Sequence, residues 1–222
     1  MKKYLKIDEL LEICTVIFMC GYLLLIPIVI DGCTTNKVCA EETEEIDSLG
    51  ILKEQISETY CSLVFEVDKY ITSIAPDSKV SANIFVDLCD EYNIDIRLAL
   101  TQGHIESHFA TKGTAAKTNS IFNVGAFDGY PASMQIKNGY GYKHPDYSIE
   151  PYLKLLTTRY LVNGKSEKDL LKNFVDKSGH RYASSKEYEL SLTNQWKKIN
   201  NVTNIAPLYN EYKELKNKLQ LL

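Results

Sequence analysis

Beyond residue 40 the chain carries only two cysteines, Cys61 and Cys89, too few for a disulfide framework to hold the folded part. A single Cys61–Cys89 bridge stays open beside two buried apolar thiols, the commoner state of scattered cysteines. A Lys/Arg-rich stripe is also missing. Residues 48–222 hold 21 basic against 20 acidic side chains and so lack the electrostatic footprint that phosphate-backbone binding needs, which excludes nucleic acid as a partner. Strand-like alternation is scarce and no internal repeat is present. With 45% apolar and 24% charged residues among 222, the composition excludes collagen-like, disordered and multi-pass chains. One core is expected once any targeting segment is subtracted.

What is there divides along the chain. Residues 13–30, ICTVIFMCGYLLLIPIVI, run for 18 positions without a charge, enough as a helix to cross about 27 Å of hydrocarbon. Lys2, Lys3 and Lys6 precede this segment and only Lys37 closely follows, so the basic excess keeps the N-terminus inside and exports the rest. Residues 1–40 are therefore a signal peptide or a membrane anchor. Val38-Cys39-Ala40 has the small-residue look of a cleavage site, whereas the length of the apolar run suits an uncleaved anchor. Ile30-Asp31-Gly32-Cys33 also resembles a lipobox interrupted by Asp31. Residues 41–47 carry five acidic side chains, a solvated linker by composition.

Leu49, Leu52, Ile56, Tyr60, Leu63, Val67, Tyr70, Ile71 and Ile74 recur at three- and four-residue steps, which predicts a packing helix ending before Pro76 and completes a segment at 41–77. The period continues from Val80 to Tyr92, with Asp77 or Ser78 as cap, and Asp95 caps a helix over 96 to about 109. Further helices are expected over 149–162, 167–176 and 186–199, and residues 201–222 form a terminal helix of the same domain or a contact for a partner helix. The reading is mainly α, with at most one short β-hairpin in 130–147.

The most informative stretch is Ala99-Leu100-Thr101-Gln102-Gly103-His104-Ile105-Glu106-Ser107-His108-Phe109. At about 100° per residue, Leu98, Gln102, Ile105 and Phe109 make the buried stripe and Glu106 lies on its shoulder beside Ala99 and Gly103. Those small residues are expected to leave the helix surface open as a groove. A carboxyl half-buried against Ile105 and Phe109 gains pKa by desolvation, as a general acid requires near neutral pH. His104 and His108 are four apart, but Glu106 points about 200° away from His104, so the zincin pattern is not met and neither a metal nor another cofactor is expected.

Gln102-Gly103-His104-Ile105-Glu106-Ser107, then Lys112-Gly113 and Thr118-Asn119-Ser120-Ile121-Phe122-Asn123-Val124-Gly125, resemble the core of the bacterial endo-β-N-acetylglucosaminidases of autolysins and flagellar muramidases. Tyr147-Ser148-Ile149-Glu150-Pro151-Tyr152, Tyr160-Leu161 and Arg181-Tyr182-Ala183-Ser184 with Tyr188 extend the likeness, which covers residues 78–200. The resemblance implies a lysozyme-like helical domain acting on peptidoglycan glycan strands. It implies Glu106 as general acid, Tyr182 as an active-site tyrosine, and Ser107, Phe122, Asn123 and Gly125 lining the saccharide groove.

The chain departs from that family in its short hairpin lobe. Only Asp128, Asp146 and Glu150 lie between the motif and the next helix, and Asp128 is the candidate second carboxylate. Two-carboxylate hydrolysis needs it about 5–9.5 Å from the acid. Without it, the substrate's N-acetyl group or C6 hydroxyl would complete substrate-assisted hydrolysis or lytic transglycosylation. A catalytically silent glycan-binding or assembly module of an envelope or virion is the opposing reading. Six of fifteen tyrosines fall between Tyr130 and Tyr160, stacking surfaces for sugars or packing for the lobe.

Overall fold

The computed structural model describes residues 35–124 and 141–221, with side chains from Ser48 onward. The apolar segment 13–30, Gly125, Asp128 and most of the expected hairpin lie outside these residues. The chain divides into two units, 1–46 and 47–222; of the first, the backbone from Thr35 is helical. Among the described residues no helix is long and apolar enough to cross a membrane.

The protein is mainly α. Its helices are α1 (Thr35–Ile74), α2 (Ala82–Glu91), α3 (Ile96–Ser107), α4 (Ala115–Thr118), α5 (Ile149–Leu155), α6 (Glu167–Leu170), α7 (Tyr188–Val202) and α8 (Ile205–Gln220). A 3-10 turn, Pro145–Ser148, leads into α5, and a π turn, Leu156–Tyr160, leaves it. Among the described residues there is no strand, only an isolated antiparallel bridge between Val175 and Arg181.

Helix α3 is the central element, with Ile96, Leu98, Ala99 and Leu100 fully buried. It packs most extensively against α7, and also against α2 and α8. The apolar stripe of α1 reaches the same core through Leu63, Val67, Tyr70 and Ile71, and Tyr70 closes edge-on over Phe109. The backbone of 41–47 continues α1, so the acidic run is helical where composition alone pointed to a linker.

Several boundaries move for local reasons. The cap of α2 is Ser81, not Asp77 or Ser78. Its N–H and hydroxyl both donate to the Asp146 carboxylate, at 2.8 and 2.6 Å, while Ser78 donates to the Phe109 carbonyl at 2.9 Å. Asp95 caps α3 as expected, accepting from Arg97 N–H at 2.9 Å. The helix expected over 167–176 opens on a Ser166–Asp169 capping box and stops after one turn. Beyond it Asp176 accepts the Ser178 and His180 N–H groups at 2.8 and 2.9 Å and Gly179 takes a φ of +83°, a turn that Asp, Ser and Gly favour over continued helix. Cys61 is exposed and Cys89 buried, and both are free; no bridge joins them.

Helix α3 also ends earlier than periodicity predicts. His108, Phe109 and Ala110 take φ of 48°, 53° and 63° in succession, each a left-handed conformation that costs about 1–2 kcal/mol for a residue with a Cβ. The turn swings Phe109 back beneath the helix, with its N–H on the Gly103 carbonyl at 3.0 Å. A Cβ on Gly103 would stand 3.0 Å from the Phe109 ring and 3.1 Å from Ile121 Cγ2. The surface beside Gly103 is therefore filled by Phe109 and Ile121 and Ala99 is fully buried, so no open groove lies there.

Candidate active site

Glu106 emerges from the last turn of α3, half-buried. Its Oε1 accepts from the Tyr188 hydroxyl, on the first turn of α7, at 2.5 Å. Among the described residues no Lys, Arg or His forms an ion pair with it. Burial raises its pKa above the usual carboxylate range, and the Tyr188 hydroxyl and the Asn123 amide pull against that rise. A carboxyl in this setting keeps its proton to higher pH than a solvated one and can return to the anion beside a neutral donor.

The other residues implied by the resemblance divide into two groups. Asn123 sits beside Glu106, its backbone left-handed at φ 49° and its amide donating to the Glu106 carbonyl at 3.2 Å. Tyr182 is partly buried. Its hydroxyl donates to the Phe122 carbonyl at 3.2 Å, and its ring stacks between Phe174 at 4.7 Å and Tyr188 at 5.6 Å. Burial and, after it, the nearby Glu106 charge push the Tyr182 phenol up, so it stays neutral.

Ser107 and Phe122 face inward instead. Ser107 is 2% exposed, and its hydroxyl is spent on the fold, donating to the Ile121 carbonyl at 2.7 Å and accepting the Ala110 N–H at 2.8 Å. Phe122 stacks on buried Tyr152 at 3.7 Å. Neither is placed to line a saccharide groove; they hold the turn and the loop that carry Glu106 and Asn123. Tyr152 and Tyr160 are likewise core residues, while Tyr147 is exposed.

Two of the three acidic residues considered as partners are engaged elsewhere. Asp146 is buried at the start of α2 and paired with His144 at 3.1 Å. Glu150 accepts from Tyr92 at 2.9 Å on the exposed side of α5. The histidines turn away from the carboxyl: His104 Nδ1 meets the Tyr70 hydroxyl of α1 at 3.0 Å, and its ring lies 5.0 Å from that of His108.

Two participants were not singled out from sequence as site residues. Gln102, one turn before Glu106, is fully buried and donates to the Tyr188 hydroxyl at 3.0 Å. Its signal was an amide inside an apolar stripe, since a buried polar side chain requires partners. Tyr188, 82 positions beyond Glu106, carried no such signal in the helical period. The chain matches no family model, no curated protein and no solved structure.

Proposed function

We propose that the domain is an exported peptidoglycan hydrolase of the endo-β-N-acetylglucosaminidase type, on a lysozyme-like helical scaffold, with Glu106 as general acid. The observation that carries this reading is the state of that carboxyl. It is half-buried, raised by desolvation, without a cationic partner among the described residues, and held through one oxygen by a neutral phenol. Such a group protonates a leaving glycosidic oxygen and receives the resulting charge without losing its geometry. The anomeric C–O bond breaks as the glycosidic oxygen takes the Glu106 proton and leaves as a hydroxyl; water adds its OH to the anomeric carbon and gives its other proton to a general base.

With Asp146 and Glu150 committed to the fold, Asp128 stays the candidate to activate that water. The substrate's own N-acetyl oxygen or C6 hydroxyl replaces it in substrate-assisted hydrolysis or lytic transglycosylation. Asn123 and Tyr182 border the acid. The segment at 13–30, as signal peptide or anchor, would place the domain on the side of the membrane where murein lies.

Glu106→Gln removes the proton and little else. It should fold as the parent and release muropeptides from murein sacculi about 10²–10⁴-fold more slowly. Release near the parental rate would refute the assignment, and a wild-type protein that sediments with sacculi without releasing fragments is a binding module. Mass spectrometry of the products separates a reducing N-acetylglucosamine end from an anhydro end.

A further inference from the structure

The hydroxyl that meets Glu106 is itself fixed from behind. Gln102 donates from Nε2 to the Tyr188 oxygen at 3.0 Å, and its Oε1 meets the Tyr152 hydroxyl. Stacking on Phe122 at 3.7 Å sets the Tyr152 ring, and stacking on Tyr182 at 5.6 Å sets that of Tyr188. A phenol has one proton to give. Because its oxygen accepts from Gln102, Tyr188 directs that proton onto Glu106 Oε1.

We propose that Tyr152, Gln102 and Tyr188 form a one-way donor chain that keeps Glu106 Oε1 as an acceptor and so assigns the transferable proton to Oε2. The inference rests on the reading of Glu106 as general acid and deepens it by naming the oxygen that acts. The three are positioning residues, since each acts through the next. Tyr152 and Gln102 are fully buried and Tyr188 nearly so, and an unmade hydrogen bond at such depth costs about 1–3 kcal/mol. Reversing one link therefore strands another.

Among the described residues the titratable groups facing Glu106 are Tyr188 on α7, Tyr182 before it and Tyr152 on α5, all phenols that burial keeps neutral. Once the proton has left, the Tyr188 hydroxyl, with the Asn123 amide, is what stabilises the carboxylate.

The test is a carbon-13 titration of the Glu106 carboxyl in the full chain. Tyr188→Phe should raise its midpoint by about one pH unit, a tenfold change in proton affinity. Tyr152→Phe does not touch Glu106 yet should move the midpoint the same way by less, because the freed Gln102 amide turns and takes the Tyr188 proton on Oε1. An unmoved or lowered midpoint in either folded variant overturns the donor chain. Should both variants unfold, the Tyr188 hydroxyl proton of the wild type decides: its resonance must shift as Glu106 titrates, and a static resonance overturns the chain. Muropeptide release is read separately. A protein inert on sacculi with these shifts intact loses the hydrolase reading and keeps the chain; an active enzyme whose midpoint ignores both substitutions loses the chain alone.

Discussion

His104 and Glu106 sit two positions apart and titrate in opposite senses. The Tyr70 hydroxyl accepts from the Gln195 amide at 2.7 Å and so gives its own proton to His104 Nδ1. That leaves a neutral imidazole, which burial, with His108, Lys198 and Lys112 nearby, pushes down to about 4 from 6.5. Between those values the unfolded chain binds a proton that the native state refuses, so this contribution to stability is full above pH 6.5 and lost as pH falls to about 4. Glu106 is raised from 4.5; its contribution is full below that value and lost as pH climbs through the native one. The two slopes oppose each other above pH 4.5, and each substitution should uncover the other. Urea unfolding across pH 4–7 should show His104→Gln with less gain on raising the pH than the wild type, and Glu106→Gln with more. Three parallel curves would contradict both assignments. Sequence reached the half-buried, up-shifted carboxyl because Glu106 stands at the edge of an apolar stripe. It misread Gly103, whose missing side chain admits a phenylalanine folded back from its own helix, an approach invisible to a helical projection.

Helices whose apolar stripe spans several turns were legible: α1 from Leu49 to Ile74, α2, α3 up to its last turn, α7 and α8 all lie close to their expected ranges. Legibility failed where short-range polar chemistry outweighs periodicity. The helix expected over 149–162 runs from Ile149 to Tyr160, its last turn widened to a π turn with Leu161 N–H on the Leu156 carbonyl at 2.8 Å, whereas residues 171–187 follow turn bonds rather than an apolar face. The end of α3 is the case with most at stake, because three left-handed residues follow directly on Glu106 and Ser107. Ser107 holds that turn from both sides, through the Ile121 carbonyl and the Ala110 N–H. Ser107→Ala leaves two backbone groups without this partner and should cost about 1–3 kcal/mol, read as a lowered thermal midpoint with the helical signal intact. An unchanged midpoint would mean that the backbone bonds from His108, Phe109 and Lys112 suffice alone.

The segment 78–200 that carries the resemblance does not close its own core. Helix α8 follows it and was open, on sequence, to being either part of the domain or a surface for a partner helix. It belongs to the unit 47–222. Ile205 is fully buried and Tyr209 and Tyr212 nearly so. The Tyr209 hydroxyl caps the loop before α3 by donating to the Ile94 carbonyl at 2.9 Å, and Lys213 and Lys216 both pair with Asp90 at the end of α2. Burying three such side chains is worth about 1.5–3 kcal/mol each, a total of the same order as the whole stability of a domain, about 5–15 kcal/mol. A chain ending at Asn204 would also uncover α3, the helix that bears Glu106, since α8 packs on it. That truncation should lose its cooperative urea transition and, with it, any release of muropeptides, even though every residue bordering Glu106 is retained. A truncated chain that still unfolds cooperatively at the parental midpoint would show that α8 is an appendage and return it to the role of a partner surface.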